Sequence, residues 1–250
     1  MMSDKSEKLI PHPTLKEYYK HEGLRKEFVD KIFNETASKY DYINQFLSLG
    51  SGDWYRKQAL HRAGLDSKMS VLDVATGTGM LAKSEVSIVG LEGRVIGLDR
   101  SCNMLKKAKE KLNIPLILGD AGRLPFQNDT FDFLSMGYAL RHVDDLKDTF
   151  REYFRVLKPG GILLILELMR PTHSLTYRLV RLYFKFMVAL ISIPGIGGKD
   201  GGQLIRYYWD TINEFVGSDD LKEALSESGF IQVGSYQLFN FFSEFTAVKP

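Results

Sequence analysis

Short apolar runs alternate with amphipathic segments through the middle of the chain. In the segments between the runs, apolar residues recur at helical spacing, and the runs end close to polar or glycine residues. Short strands separated by helices are typical of βαβ units, in which a parallel sheet is covered by helices on both faces. The pattern therefore predicts an α/β fold with five successive parallel strands, at residues 71–74, 95–98, 116–118, 131–136 and 162–166.

The flanking segments complete this architecture. Residues 1–20 are polar and predict a flexible N-terminus, whereas residues 22–66 have helical periodicity and predict N-terminal helices. Aromatic and basic side chains crowd around a glycine-rich loop in residues 171–217, which predicts a helical cap inserted after the fifth strand. Two runs within residues 231–248 predict an antiparallel C-terminal hairpin. We expect one domain over residues 21–250, with a Rossmann-like, seven-stranded, mostly parallel sheet.

Composition narrows the class of protein. Of the 250 residues, 44% are hydrophobic and 26% charged, as in a folded domain with one sizeable core. The 33 Lys and Arg residues nearly balance the 31 Asp and Glu residues, which excludes nucleic acid as the main partner. The single cysteine, Cys102, excludes an intrachain disulfide, so we expect a cytoplasmic protein. We expect no signal peptide, because residues 1–8 are not apolar, and no membrane span, because the longest apolar stretch, residues 182–194, is too short.

Polar groups follow the ends of the predicted strands. Asp73 ends the first run and precedes Gly77 and Gly79, Asp99 follows the second run, and Asp120 follows the third. Ligands of parallel α/β sheets bind outside the carboxyl ends of the strands, so these acids should face one crevice. Asp99 is placed to accept two hydrogen bonds from ribose hydroxyls. Capping of the next helix is the ordinary alternative for any one of these acids, but their number predicts a nucleotide-type site.

The glycine loop alone leaves two cofactors open. The spacing of Gly77, Gly79 and Ala82 is close to the dinucleotide-binding pattern Gly-x-Gly-x-x-Gly, in which a helix N-terminus holds a pyrophosphate. The Asp73 carboxylate would repel a pyrophosphate, whereas it suits a ligand that carries an ammonium group and a sulfonium. This favours S-adenosylmethionine. A nicotinamide-dependent dehydrogenase and a non-catalytic binding module are the alternatives from other classes.

Several motifs resemble a known family. The class I S-adenosylmethionine-dependent methyltransferases have motifs similar to four segments of this chain, residues 73–79, 97–99, 119–121 and 155–161. More narrowly, residues 37–41 and 140–143 resemble the UbiE family of quinone-biosynthesis C-methyltransferases, although Met80 stands where that family has aspartate. The resemblance implies C-methylation of a polyprenylated benzoquinol or naphthoquinol, as in ubiquinone and menaquinone biosynthesis. O- or N-methylation of another small hydrophobic molecule, or of a phospholipid headgroup, stays open.

The resemblance also implies a set of cofactor-binding residues. Asp99 should hold the ribose hydroxyls, Asp120 the adenine amino group and Asp73 the amino acid end, while Met104 packs on the adenine ring. The expected set is Asp73, Ala75, Thr76, Gly77, Gly79, Asp99, Arg100, Met104, Asp120, Ala121 and Gly137. No set of metal ligands is visible in the sequence, so we expect no metal.

Three further residues are candidates for catalysis. A phenolic acceptor must lose its proton to make the ring electron-rich, and a neighbouring cation lowers the pKa of the phenol. We assign that cation to Arg141. His142 could accept the proton near neutral pH, with a structural histidine as the alternative. Tyr40 could close over the methionine end or hydrogen-bond the acceptor, or its ring could simply pack.

The expected partner is a hydrophobic, quinol-like small molecule. Basic and aromatic residues of the cap would shelter its ring. Residues 182–194 would touch the membrane in which such a substrate dissolves. We therefore expect a cytoplasmic protein with a peripheral position at the membrane surface, and a homodimer stays open as a further partner.

Overall fold

Within residues 8–250, which the computed structural model describes, seven strands form one sheet. The strands are β1 (Ser70–Val74), β2 (Arg94–Asp99), β3 (Leu116–Leu118), β4 (Phe131–Gly137), β5 (Leu157–Leu168), β6 (Ile231–Leu238) and β7 (Phe242–Val248). Their order across the sheet is β3-β2-β1-β4-β5-β7-β6. The first five are parallel, and β7 is antiparallel to both β5 and β6. The predicted mostly parallel sheet with an antiparallel C-terminal hairpin is confirmed.

Nine α-helices accompany the sheet in the described part of the chain. They are α1 (Arg25–Thr36), α2 (Tyr40–Leu47), α3 (Gly52–Arg62), α4 (Met80–Val89), α5 (Cys102–Lys109), α6 (Leu146–Val156), α7 (Ser174–Ile191), α8 (Gly198–Glu214) and α9 (Ser218–Glu227). Side chains fix two of the helix starts. Ser101 accepts a hydrogen bond from the Met104 N–H at the start of α5, and Asp145 accepts one from the Lys147 N–H at the start of α6.

Both faces of the sheet are buried, as alternating side chains in a parallel sheet require. Leu72 and Leu134 point into a core shared with α6 and α9. Val71 and Phe133, one residue before each of them, point to the opposite face and pack with residues of α3 and α4. Because both faces are covered, the ends of the strands are the part of the sheet that can face a ligand, and the carboxyl edge holds the acidic strand ends.

A third core lies beneath the cap. It joins α1 and α2 to the helices α7 and α8 that follow β5. Phe184, Met187 and Ile191 are buried in it, so much of the apolar stretch at residues 182–194 serves packing. Gly202 allows α8 to approach the end of α7, because a Cβ at that position would lie 1.9 Å from Ser192 Oγ.

The N-terminal segment differs from its prediction. Residues 1–7 of the expected flexible region lie outside the described residues. From residue 9 onward the segment packs on the domain: Leu9 accepts a hydrogen bond from the Leu146 N–H, and Pro11 accepts one from the Val216 N–H. Tyr19 is 4% exposed. The segment's prolines and charges predict a free chain, but its few apolar residues find partners that are distant in sequence.

The Pro-Gly-Gly sequence at residues 159–161 is typical of a turn that ends a helix, but the structure places this segment differently. It lies inside β5, where the register with β4 shifts between Phe131 and Phe133, and forms an irregularity of the strand. Gly160 has a φ of 79° there. None of the helices in residues 8–250 combines the length and the apolar character that crossing a membrane requires.

Candidate functional site

An open pocket of about 820 Å³ lies at the carboxyl ends of β1, β2 and β4. One wall is a face of α1, on which Lys26, Val29, Asp30 and Phe33 follow at helical spacing. The pocket occupies the edge of the sheet where ligands of this fold class bind.

The loop between β1 and α4 forms the floor of the pocket. Ala75 and Gly77 both have a φ of 56°, in the left-handed region. A Cβ added at Gly77 would meet nothing within 4 Å, so the backbone is open to a ligand there. Gly79, with a φ of 81°, has a different role, because a Cβ would lie 2.5 Å from Leu112 Cδ1. The close approach to Leu112 gives Gly79 a packing role, and its place in the expected cofactor-binding set stays a prediction.

Asp99 is tied to the same loop. One carboxylate oxygen accepts the Gly77 N–H at 2.8 Å and the other accepts the Ser101 N–H at 2.7 Å. Burial raises the pKa of Asp99, although these two N–H donors act in the opposite direction. The carboxylate is therefore held in one orientation at the end of β2.

Asp120, at the end of β3, belongs to a network of charges at the pocket mouth. It lies 3.2 Å from Lys26 Nζ and 3.7 Å from an Arg100 nitrogen. Burial raises its pKa, but the Gly122 N–H and the Lys26 ammonium outweigh burial and leave the pKa below its usual value. Arg100 also pairs with Asp30 of α1 at 2.9 Å. These contacts join α1 to the ends of β2 and β3.

Asp73 lies deeper than the sequence predicts. It is 1% exposed, and it accepts hydrogen bonds from Thr76 Oγ1 at 2.6 Å and Ser135 Oγ at 3.3 Å. Ser135 also bonds Glu85, a buried carboxyl of α4. Burial raises the pKa of Asp73 to about 7, and burial together with the Asp73 charge raises the pKa of Glu85 well above its usual value. The two carboxyls share one polar cluster beneath the loop.

A smaller cavity of about 430 Å³ adjoins the pocket on the side of α2 and α3. Asp73, Thr76 and Met80 line it, and so does Arg56, which is 8% exposed. Arg56 donates to Asp53 at 2.7 Å, while its buried Nε–H has no partner within residues 8–250. Tyr40 lines both spaces.

Aromatic rings surround His142 at the other end of the pocket. The Phe33 ring lies edge-on at 5.3 Å, and the Tyr207 ring is stacked at 5.5 Å. The Tyr207 hydroxyl lies 3.4 Å from His142 Nδ1, whereas His142 Nε2 is buried without a partner in the described residues. Burial, and secondarily the Arg141 charge, lower the pKa of His142 well below its usual value. The ring is therefore neutral at pH 7.

Arg141 does not face the pocket. It is 1% exposed and forms an ion pair with Glu167, which is fully buried. Its Nε–H donates to Thr211 at 3.1 Å, and its guanidinium lies 5.1 Å from the centre of the Tyr208 ring. The sequence assigns Arg141 as the cation beside the acceptor, and the structure corrects this, because Glu167 already balances its charge.

Most of the predicted site residues meet in these two spaces. Asp73 and Thr76 line the smaller cavity, and Arg141 and Gly79 line neither. The other ten line the larger pocket: Tyr40, Ala75, Gly77, Asp99, Arg100, Met104, Asp120, Ala121, Gly137 and His142. Sequence reasoning missed the α1 face and Arg56. The helical spacing of Lys26, Asp30 and Phe33 indicates that they share one face of α1. An ordinary packed helix has the same spacing, so the sequence does not show that this face lines a pocket.

Comparisons with known proteins identify relatives. The sequence model of the ubiE/COQ5 methyltransferase family matches residues 21–243. A demethylmenaquinone methyltransferase of Staphylococcus aureus (strain JH9) is 36% identical over 215 residues, which cover 83% of this chain and 87% of that protein.

Solved structures share the fold. A SAM-dependent methyltransferase from Aquifex aeolicus has a TM-score of 0.58 and 20% identity, covering 78% of this chain and 89% of its own. Phosphoethanolamine N-methyltransferase 2 of Haemonchus contortus, in complex with S-adenosyl-L-methionine, has a TM-score of 0.63 and 20% identity. It covers 90% of this chain and 60% of its own.

Proposed function

The chain belongs to the ubiE/COQ5 methyltransferase family and is an S-adenosylmethionine-dependent methyltransferase, and we propose that its acceptor is a ring carbon of a reduced, polyprenylated quinone of the demethylmenaquinol type. The identity to demethylmenaquinone methyltransferases supports this acceptor class. When bound, S-adenosylmethionine supplies an electrophilic methyl group on a sulfonium. A quinol with an isoprenoid chain dissolves in a bilayer, so the enzyme meets it at the membrane surface.

The larger pocket has the groups that this cofactor requires. The Asp99 carboxylate is oriented at a strand end for ribose hydroxyls, and Gly77 leaves open space beside it. Met104 is an apolar wall residue suited to the adenine ring, and Asp120 offers a carboxylate to the adenine amino group. We assign the methionine end to the smaller cavity, where Asp73 provides a carboxylate and Arg56 an N–H without a partner in the described residues.

The surroundings of His142 are the observation that supports the proposed acceptor. Its neutral imidazole has Nδ1 beside the Tyr207 hydroxyl and leaves Nε2 without a partner in residues 8–250, next to the aromatic walls. A base in that position takes the proton of a phenol and raises the electron density of the ring, which is what attack by carbon requires. Tyr40 completes the aromatic wall and receives a hydrogen bond from the Tyr208 hydroxyl at 3.2 Å.

The test uses S-adenosylmethionine with a labelled methyl group and three acceptors. We expect transfer to a reduced demethylmenaquinone with a short prenyl chain, and none to its oxidised form or to phosphoethanolamine. The matched variant His142→Ala should lose transfer and still bind S-adenosylhomocysteine in a titration. Transfer to phosphoethanolamine alone would show that the enzyme is a headgroup N-methyltransferase instead.

A further inference from the structure

The outer surface of α7 is apolar in a regular pattern. Leu175, Leu179, Leu182 and Phe186 follow at intervals of four, three and four residues, so they lie on one face of the helix. Each is between 58% and 69% exposed. The opposite face, with Phe184, Met187 and Ile191, already anchors the helix in the core. The outer apolar side chains are left largely uncovered by residues 8–250.

Three cations stand among these apolar side chains. Arg178, Arg181 and Lys185 are exposed on α7, and the helix contains no Asp or Glu. No acidic side chain in residues 8–250 forms an ion pair with any of the three. We call the seven residues together the α7 face: Leu175, Arg178, Leu179, Arg181, Leu182, Lys185 and Phe186.

Exposed apolar side chains continue on the loops beside α7. Leu49 is 81% exposed and lies two residues after Leu47, whose carbonyl accepts a hydrogen bond from the Tyr183 hydroxyl of α7 at 2.7 Å. Phe239 is 75% exposed and precedes Asn240, which bonds the Thr172 N–H just before α7 at 2.8 Å. Exposed apolar side chains therefore lie on two loops that contact α7, one beside the middle of the helix and one just before its start.

The three cations of the α7 face indicate which kind of partner covers this surface. In a symmetric dimer the same patch meets itself, so two copies of the α7 face would bring six cations together without a counter-charge. A bilayer with anionic headgroups complements both features, because apolar side chains enter the acyl boundary and Lys and Arg pair with phosphates.

We propose that the α7 face docks on the surface of a membrane that contains anionic phospholipid. Leu175, Leu179, Leu182 and Phe186 insert at the headgroup boundary, and the three cations hold the lipid phosphates. This keeps Leu182, Lys185 and Phe186 of the expected contact at residues 182–194, in which Phe184, Met187 and Ile191 are buried, and extends the contact toward the start of α7. The docking would serve the proposed isoprenoid acceptor, but the inference rests on the surface itself.

The test is co-sedimentation of the full chain with vesicles. We expect binding to vesicles of phosphatidylcholine and phosphatidylglycerol at low salt, weaker binding at high salt, and little binding to phosphatidylcholine alone. The double variant Leu182→Asn/Phe186→Asn and the triple variant Arg178→Gln/Arg181→Gln/Lys185→Gln should each bind about tenfold less or weaker still. Equal binding by these variants and the wild type, or no binding by the wild type at low salt, would overturn the proposal.

Control variants carry comparable changes elsewhere on the surface. Leu91, which is 106% exposed, supplies Leu91→Asn, and exposed lysines of α4 and α5 supply Lys83→Gln/Lys106→Gln/Lys109→Gln. Both controls should bind as the wild type does. A dimer in ultracentrifugation that the α7-face variants dissociate, together with no vesicle binding, would make the face a contact between two copies and overturn the proposal.

A second assay separates docking from the acceptor assignment. The α7-face variants should methylate a water-soluble short-chain quinol at the wild-type rate and lose activity only on a long-chain quinol in vesicles. Vesicle binding without transfer to any quinol would contradict the acceptor proposal and leave docking in place. An equal loss on both acceptors would contradict a role for the face in docking.

Discussion

At the scale of one residue, burial determines the protonation state of His142. A histidine surrounded by aromatic rings and next to a buried arginine loses its charge, because neither environment stabilises a second cation. The ordinary pKa of a histidine side chain, about 6.5, then applies to the unfolded chain and not to the native protein. The residue is available as a base over the whole neutral range.

We predict the pH dependence of transfer from this shift. Because the base is neutral down to well below pH 6.5, the rate with saturating quinol should stay level from pH 8 to pH 6.5 and fall only at lower pH. His142→Ala should lower the rate by about 10²- to 10⁴-fold, the usual contribution of a general base. A pH–rate profile with a limb at or above pH 7 in the wild type would contradict this role.

Arg141 and Glu167 form a buried pair whose disruption should affect folding. Arg141→Ala leaves the Glu167 carboxylate buried without a counter-charge, and it should lower the free energy of unfolding by about 3–5 kcal/mol. Urea denaturation measures this. The double variant Arg141→Met/Glu167→Gln should recover most of the loss, whereas the exposed control Arg178→Ala should change stability by less than about 0.5 kcal/mol. Wild-type stability in Arg141→Ala with loss of turnover would instead support the original catalytic assignment.

Glu85 should make stability depend on pH. Its native pKa is raised, whereas in the unfolded chain it ionises near pH 4.5, so unfolding releases a proton above that pH and stability falls as pH rises. Glu85→Gln mimics the protonated form and should be more stable than the wild type at pH 8, by about 1.4 kcal/mol for each pKa unit of the shift. The difference should shrink toward pH 5.

The exposed variant Glu223→Gln is the control, because that side chain lies on the surface of α9. Thermal unfolding at several pH values gives the comparison. A Glu85→Gln variant that is less stable than the wild type at pH 8 would show that Glu85 is ionised in the native protein.

Sequence reasoning located correctly, at the pocket, those residues whose position in the fold is set locally. Asp99 and Gly77 follow strands, and a strand end has a fixed place in this kind of sheet. Arg141 was misassigned because its partner Glu167 lies 26 residues away in the sequence, on β5. Arg56 was missed because nothing in its own helix indicates a cavity on the far side of the glycine loop.

At the scale of elements, two glycines of the loop between β1 and α4 have different roles. Gly77→Ala places a methyl group in the ligand space and should weaken S-adenosylhomocysteine binding at least about tenfold, with a stability cost of about 1 kcal/mol. Gly79→Ala should instead cost about 1–3 kcal/mol of stability, because of its positive φ and the close approach to Leu112. Calorimetric titration and urea denaturation of both variants check this, and equal effects on both properties would contradict the division.

Strand and helix positions were predictable because hydrophobic periodicity reports which faces are buried. The predicted strand at residues 116–118 has the observed bounds, and the others differ by a few residues at most except β5. The irregular start of β5 and the docking of residues 9–19 depend on partners far away in sequence, such as Leu146 and Val216. Local pattern carries no information about those pairings.

At the scale of the whole molecule, the site lies between the sheet and the core under the cap. The sheet supplies the acidic strand ends, and α1, which belongs to the core under the cap, closes over them through Asp30 and Lys26. The same cap carries His142's neighbour Tyr207 on its inner side and the α7 face on its outer side. We therefore propose that cofactor and acceptor share one pocket and that the outer α7 face meets the membrane.

The position of the transferred methyl group tests the central claim most directly. The enzyme is incubated with S-adenosylmethionine carrying a carbon-13 methyl group and with a reduced short-chain demethylmenaquinone, and the product is examined by NMR. We predict one labelled methyl group bonded to a ring carbon and an equal amount of S-adenosylhomocysteine. A labelled methyl group on oxygen, or an unlabelled quinol from an enzyme that binds S-adenosylhomocysteine, would contradict it.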